Sequence, residues 1–308
     1  DPLINLPTIL SIRKKLLNLF ISNDIDIFIG VDSPDFNMFF HKKLKSRKVK
    51  TIQVVSPSVW GWRENRIKSI QAYVDLTMCL FKFEWDFYDK KNMQSFFLGH
   101  PFSQLRPQNN DEVIKKHSLD ASRDFISILP GSRVSEISQL MPVYLDAAKK
   151  LLNINANTFF LIPAANKKLA EMIESTKGIN EIPYKLSIDS AQDFLSLSSI
   201  SIVTSGTASL EAAVLGSVPI ICYKTNKLNY AILSRLLRTP FVGLPNLLLQ
   251  DHIFPELIQR DLTPEAIVNS FSKILSEPEK YQSYLSQIND SMLGEGFEVA
   301  AGAIDNLL

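Results

Sequence analysis

The chain has 308 residues, 45% hydrophobic and 21% charged, with a formal net charge of +1. It is long enough for two α/β domains, too apolar for a disordered chain, and too close to neutral for a nucleic-acid binder that relies on bulk charge. The charge is uneven, because residues 1–68 carry 12 Lys and Arg against 6 Asp and Glu, a net of +6, and the rest carries −5.

In chain order, short β-rich runs alternate with longer helical patterns. Strands are expected at Asp26–Val31, Thr51–Val55, Asp75–Leu80 and Phe96–Leu98, then at Asp124–Leu129, Thr158–Ile162, Lys185–Ile188, Ile200–Val203 and Pro219–Tyr223. These runs are almost continuously apolar, as strands covered on both faces should be. Between them, Ile137, Leu140, Met141, Tyr144, Leu145, Ala148 and Leu152 mark one helix face. Repeated β-α-β units predict parallel sheets clothed by helices. The pattern pauses at Gly99-His100-Pro101 and stays polar through Asn110. The expected organisation is therefore two Rossmann-like domains facing each other across a cleft: residues 1–100, and residues 101–308 with C-terminal helices able to cross back. The first offers only about four strands and opens on a helix, so it reads as incomplete, with residues missing before Asp1.

Cys79 and Cys222 lie in apolar runs and read as reduced core thiols. No segment reaches the ~20 apolar residues of a membrane-spanning helix, which predicts a protein in the cytosol or at a membrane surface. The basic run Lys42–Lys50 follows Met38, Phe39 and Phe40. Together they suggest charge attraction plus apolar insertion at an anionic bilayer, although core burial suits at least one of the three.

Two strand-to-helix turns have the chemistry of anion sites. Gly131-Ser132-Arg133 follows the strand DFISIL, with Ser135 expected as helix cap and Glu136 in the first turn. Free N–H groups and the helix dipole favour phosphate there, and Arg133 adds a forked cation. Ser205-Gly206-Thr207 repeats the arrangement, with Glu211 one turn on, where its carboxylate can accept from ribose hydroxyls. Two such turns at one sheet edge point to a nucleotide diphosphate. No GxGxxG fingerprint or GxxxxGK[ST] loop is present, which weakens dehydrogenase and NTPase readings.

At the front, Gly30-Val31-Asp32-Ser33-Pro34-Asp35 puts two carboxylates after a strand. Asp32 suits a general base, and Asp35 suits a helix start. Ser58, Trp60 and Arg63, in SPSVWGWR, suit sugar, acyl or phosphate surfaces. Asp24-Ile25-Asp26 matches a metal-holding DxD but precedes its strand, so no metal site and no cofactor are expected.

Taken as an ordered set, GVDSPDFN, VSPSVWGWRENRI, LGHP, LPGSRVSEI, TSGTASLE and GLPNLL resemble the lipid-A-disaccharide synthases along essentially the whole chain. Gly61 and Lys82 stand where that family usually has Ala and Pro, and the family's opening strand and loop are not seen. The resemblance implies a GT-B fold and inverting transfer from UDP-2,3-diacylglucosamine to 2,3-diacylglucosamine 1-phosphate. It implies Asp32 in catalysis, and Gly131, Ser132, Arg133, Ser205, Gly206, Thr207, Glu211 and Asn246 around the UDP-sugar. It places Ser58, Trp60 and Arg63 on the acceptor side. It further implies a peripheral protein on the inner face of a Gram-negative inner membrane, with a homodimer left open. Alternatives on the residues alone are a MurG-like transferase, a UDP-GlcNAc 2-epimerase, or a nucleotide-binding fragment without turnover.

Overall fold

The structure is a computed structural model, and it describes residues 6–57, 66–226 and 239–308. They form two compact units, one of residues 6–57, 66–100 and 292–308, the other of residues 101–226 and 239–291.

In the first unit, helix α1 (Leu6–Ser22) precedes β1 (Ile27–Val31), α2 (Pro34–Lys45), β2 (Lys50–Val54), α3 (Ile67–Tyr73), β3 (Leu76–Cys79), α4 (Lys82–Asp89) and β4 (Ser95–Phe97). The four strands are parallel in the order β1-β2-β3-β4. Phe40 of α2, 1% exposed, packs against Phe20, Phe28, Phe36 and Phe39. The Met38-Phe39-Phe40 run is thus spent on packing: Phe40 is core and the other two are half-buried. Exposed large apolar side chains of this unit include Leu6, Leu10, Ile12 and Leu19 on α1, Ile29 and Val31 on β1, and Phe297 and Val299 near the C-terminus.

The chain's last helix, Phe297–Asp305, also belongs to this unit. Its Ala300 joins Ile52, Leu76, Met78, Phe96 and Leu98 in one core cluster. Backbone bonds stitch the return: His100 N–H to Met292 O, Glu295 N–H to Phe97 O and Gly296 N–H to Leu98 O. Gly99 and Gly294 cross so closely that a Cβ on Gly294 would lie 2.3 Å from the Gly99 nitrogen. The glycine of LGHP therefore serves a backbone crossing.

The second unit holds α5 (Asn110–His117), β5 (Asp124–Leu129), α6 (Val134–Ile154), β6 (Thr158–Ala164), α7 (Lys167–Glu174), β7 (Tyr184–Ile188), α8 (Ala191–Leu197), β8 (Ile200–Thr204), α9 (Thr207–Val214) and β9 (Val218–Tyr223). After these come α10 (Leu244–Leu249), β10 (Glu256–Ile258), α11 (Pro264–Ser276) and α12 (Pro278–Ser291). All pairings are parallel, in the order β10-β9-β8-β5-β6-β7. Counted within the unit this is 3-2-1-4-5-6, the doubly wound order, and the direction of winding reverses between β5 and β8. Strand β10 has only three residues and no apolar run of its own, so it was not among the expected strands. It forms by pairing with β9.

Helix α6 buries Ile137, Leu140, Met141, Tyr144, Leu145, Ala148 and Leu151; each large side chain so buried contributes about 1.5–3 kcal/mol. Both cysteines are free and buried. Burial pushes the Cys222 thiol up to about 12, so it is an inert core group.

Candidate functional site: the carboxyl edges of the two sheets

In doubly wound sheets, ligands bind outside the carboxyl ends of the strands where the winding reverses. A cavity of about 460 Å³ lies there. It is lined by Leu129–Arg133 and Glu136 from the β5–α6 turn, by Thr204–Ala208 and Glu211 from β8–α9, and by Pro163–Ala165 and Asp189–Ala191. Gly131, Ser132, Arg133, Ser205, Gly206, Thr207 and Glu211 are thus brought together.

The two turns are built differently. At the start of α6 the cap position belongs to Arg133, not to Ser135, which sits inside the first turn. Glu136 reaches back, and its Oε2 accepts from the N–H groups of Ser132 (3.0 Å) and Arg133 (3.2 Å). Its Oε1 accepts from Arg133 Nη1 at 2.6 Å. This carboxylate satisfies orphan donors of the helix start. It also fills the place an external anion would take. Gly131 (φ +107°) makes room for it, since a Cβ there would lie 2.4 Å from Glu136 Oε2. Arg133 remains 76% exposed at the cavity.

At the start of α9 no side chain among the described residues caps the helix. Gly206 holds the cap position with φ +143°, a conformation an L side chain rarely adopts. Thr207 is the first helical residue and is exposed. Ser205 is fixed by its N–H to Cys222 O (2.8 Å) and its hydroxyl to Val242 O (3.0 Å). Behind it, the buried Thr204 hydroxyl donates to Leu129 O at 3.0 Å and ties β8 to β5 across the winding reversal. Glu211 accepts from Gln192 Nε2 at 3.1 Å.

Asn246 is not among the residues lining this cavity. It is fully buried, and its Nδ2 donates to Phe254 O and Glu256 Oε1, both at 2.8 Å. Its Oδ1 accepts from Ile253 N–H (3.1 Å) and Phe254 N–H (2.8 Å). All of its hydrogen-bonding capacity is used within the protein. Glu256 also accepts from the N–H groups of Val242 and Gly243, both at 2.9 Å. The Asn246–Glu256 pair therefore holds the loop on whose Val242 carbonyl Ser205 rests.

Sequence reasoning missed Glu256, Gln192 and the β7–α8 turn at Asp189. The last was legible as a third strand-to-helix turn at the same edge, whereas Glu256 gave no local signal.

In the first unit, Asp32 follows β1 and is exposed. Asp32 (φ +50°), Ser33 (φ +37°) and Val55 (φ +69°) are all left-handed, at about 1–3 kcal/mol each. Asp32 N–H donates to Val54 O at 2.9 Å, and its carbonyl accepts from Asn37 Nδ2 (2.6 Å) and Gln53 Nε2 (3.0 Å). Ser33 occupies the cap position of α2 without a side-chain bond. Asp35, in the first turn of α2, is paired with Arg66. Ser58, Trp60 and Arg63 lie outside the described residues. Among the described residues no group of three or more His, Cys, Asp or Glu is arranged to hold a metal ion, and no helix is long and apolar enough to cross a membrane.

Solved structures similar to this chain share its fold at low identity. A Staphylococcus aureus MnaA–UDP co-structure aligns with a TM-score of 0.62 at 12% identity, over 97% of this chain and 80% of that one. The UDP-GlcNAc 2-epimerase from Neisseria meningitidis bound to UDP-GlcNAc gives 0.59 at 11%, over 97% and 81%. The spinosyn rhamnosyltransferase SpnG complexed with thymidine diphosphate gives 0.55 at 11%, over 93% and 74%. These place the fold in the GT-B class. Sequence is more discriminating. The lipid-A-disaccharide synthase of Alcanivorax borkumensis is 35% identical over 314 residues, covering 100% of this chain and 82% of its own. That of Aeromonas hydrophila subsp. hydrophila is 38% identical over 272 residues, covering 87% and 72%. With residues 1–299 matching the lipid-A-disaccharide synthetase family, the chain belongs to that family.

Proposed function

We propose that the cavity of the second unit is the donor site of an inverting glycosyltransferase. The enzyme passes 2,3-diacylglucosamine from UDP-2,3-diacylglucosamine to 2,3-diacylglucosamine 1-phosphate, releasing UDP. One observation carries the site assignment: at the winding reversal α9 begins uncapped, and the exposed Arg133 guanidinium lines the same cavity. The first amides of α9 take the diphosphate, and Arg133 pairs with it. Glu211, steadied by Gln192, accepts from the ribose hydroxyls. As the bond from the anomeric carbon to the diphosphate breaks, negative charge grows on UDP. The helix dipole and Arg133 stabilise it in place of a metal. Asp32 takes the proton of the acceptor hydroxyl as that oxygen attacks from the opposite side, which inverts the configuration. The acceptor belongs to the basic first unit, with Ser58, Trp60 and Arg63 as its contacts.

Supply both substrates and measure UDP and lipid disaccharide. UDP release that needs the acceptor is the expected result. Release without it would favour epimerase chemistry, and UDP binding without any turnover would favour a nucleotide-binding fragment.

A lipid acceptor also requires access to a bilayer. The relatives come from Gram-negative bacteria, and the setting proposed is the cytoplasmic face of the inner membrane. Exposed Leu10, Ile12 and Leu19 accompany Lys14 and Lys15 on α1, with Lys42 and Lys43 on α2 adding charge. Each basic residue near an anionic surface contributes about 1 kcal/mol, screened by salt. Binding to phosphatidylglycerol vesicles should weaken as salt rises. Equal binding to neutral vesicles would remove the charge from this account.

A further inference from the structure

Gln53 of β2 is 1% exposed and His41 of α2 is fully buried, where apolar side chains would pack at less desolvation cost. Their orientations are forced. Gln53 Nε2 faces three carbonyl oxygens, those of Asp32 (3.0 Å), Val54 (2.9 Å) and Val55 (3.2 Å). An oxygen could not stand there, so Oε1 faces His41 Nε2 at 3.0 Å. His41 must then carry its proton on Nε2 to donate. Its Nδ1 is left buried without a partner, and burial holds the ring's pKa below the ordinary value. Asn37, also buried, donates to Asp32 O (2.6 Å) and Val31 O (3.3 Å).

The backbone acceptors of Gln53 and Asn37 are the last residues of β1 and β2, Val31 and Val54, and the residues that follow them, Asp32 and Val55. The stretches after these strands contain the left-handed residues Asp32, Ser33 and Val55. A β-branched residue such as Val55 keeps a positive φ only where its surroundings enforce it. Both the N–H and the C=O of Asp32 are bonded, so the peptide frame from which its carboxylate projects is fixed from both sides.

We propose that Gln53, oriented by His41 and assisted by Asn37, is a positioning residue for Asp32: its buried amide holds the left-handed turn that aims the carboxylate. This rests on the reading of Asp32 as the general base. A small displacement of a reacting group can lower a rate by about a hundredfold.

The test uses the full chain, with kcat measured alongside UDP affinity and binding stoichiometry by calorimetry. Gln53→Leu should lower kcat between about tenfold and a hundredfold, with UDP affinity within about twofold of wild type. His41→Leu, which strips the 3.0 Å partner from Gln53 Oε1 and leaves it only Asn37 Nδ2 at 3.5 Å, should lower kcat less. His41→Gln, which can present an N–H to the same oxygen, should restore most of it. This last pair keeps the test open even where Gln53→Leu fails to fold. Unchanged kcat in folded Gln53→Leu or His41→Leu overturns the proposal. So does a fall in kcat that merely tracks a fall in UDP stoichiometry, or a His41→Gln variant no better than His41→Leu. Asp32→Asn in parallel separates the two layers. If it keeps kcat, the base assignment itself fails and the positioning role with it. If it loses kcat while Gln53→Leu does not, only the positioning role fails.

Discussion

The turn after β1 and the turns after β5 and β8 leave the carboxyl edges of parallel sheets in the same way, yet they are built differently. The β1–α2 turn holds one carboxyl side chain in a frame of left-handed residues and buried amides. The turns of the second unit hold no such frame and offer backbone instead. Within that second pair there is a further contrast: α6 begins under the carboxylate of its own Glu136, and α9 begins bare. A strained, fully bonded turn suits a group that must act on a proton from one direction. An uncapped helix start suits a charge spread over a diphosphate.

The largest expected effect tests the first half of this contrast. Asp32→Asn keeps the shape and removes the proposed base, so kcat should fall about 10²–10⁴-fold, while UDP affinity by calorimetry stays near wild type. A parallel loss of UDP binding would mean that the two units are not chemically separate.

Arg133→Ala tests the second half. Loss of a charge-assisted hydrogen bond is worth on the order of 1.5–3 kcal/mol, so kcat/KM for the donor should fall about tenfold or more. Wild-type kinetics would reduce Arg133 to a partner of Glu136. Glu136→Gln sharpens the contrast within the pair. Removing its charge should tighten UDP binding by a few-fold, since a dianion then meets one negative charge less. The helix start should lose about 0.5–2 kcal/mol of capping, read as a lower thermal midpoint. Weaker UDP binding would show instead that Glu136 aims Arg133 at the ligand.

How much of this was readable beforehand follows from where each signal resides. The nine apolar runs announce themselves as strands because a strand covered on both faces has little polar surface. The glycines of GSR and SGT mark turns because only glycine fits the φ at Gly131 and Gly206. Glu136 as the occupant of its own helix start was legible in outline as a first-turn acid, but its bonds to Ser132 and Arg133 require coordinates. Asn246 is ambiguous in the sequence because a polar residue in GLPNLL reads equally as a ligand contact or as a buried staple. Its bonds to Ile253, Phe254 and Glu256 depend on tertiary position and leave no local trace. Strand β10 and the Gln53–His41 pair were hidden for the same reason: tertiary partners, not local pattern, define them.

The smallest expected effect is none, and it bears on the whole second unit. Departing diphosphate must be stabilised by positive charge, supplied either by a bound cation or by the protein. Here the protein offers the positive end of α9, worth about half an elementary charge, and the permanent charge of Arg133 on one cavity wall. Of the three acids lining this cavity, Glu136 is committed to Arg133 and two N–H groups and Glu211 to Gln192, which leaves Asp189 as the single remaining carboxylate among the described residues. A hard divalent ion bound through a substrate diphosphate usually needs one or two protein carboxylates as well. Turnover in excess EDTA should therefore match turnover without it. Activity lost to EDTA and restored by Mg²⁺ or Mn²⁺ would mean that Asp189 holds a cation on the diphosphate, or that Glu136 or Glu211 changes partners when the donor binds, and that the bare start of α9 is not sufficient for the leaving group.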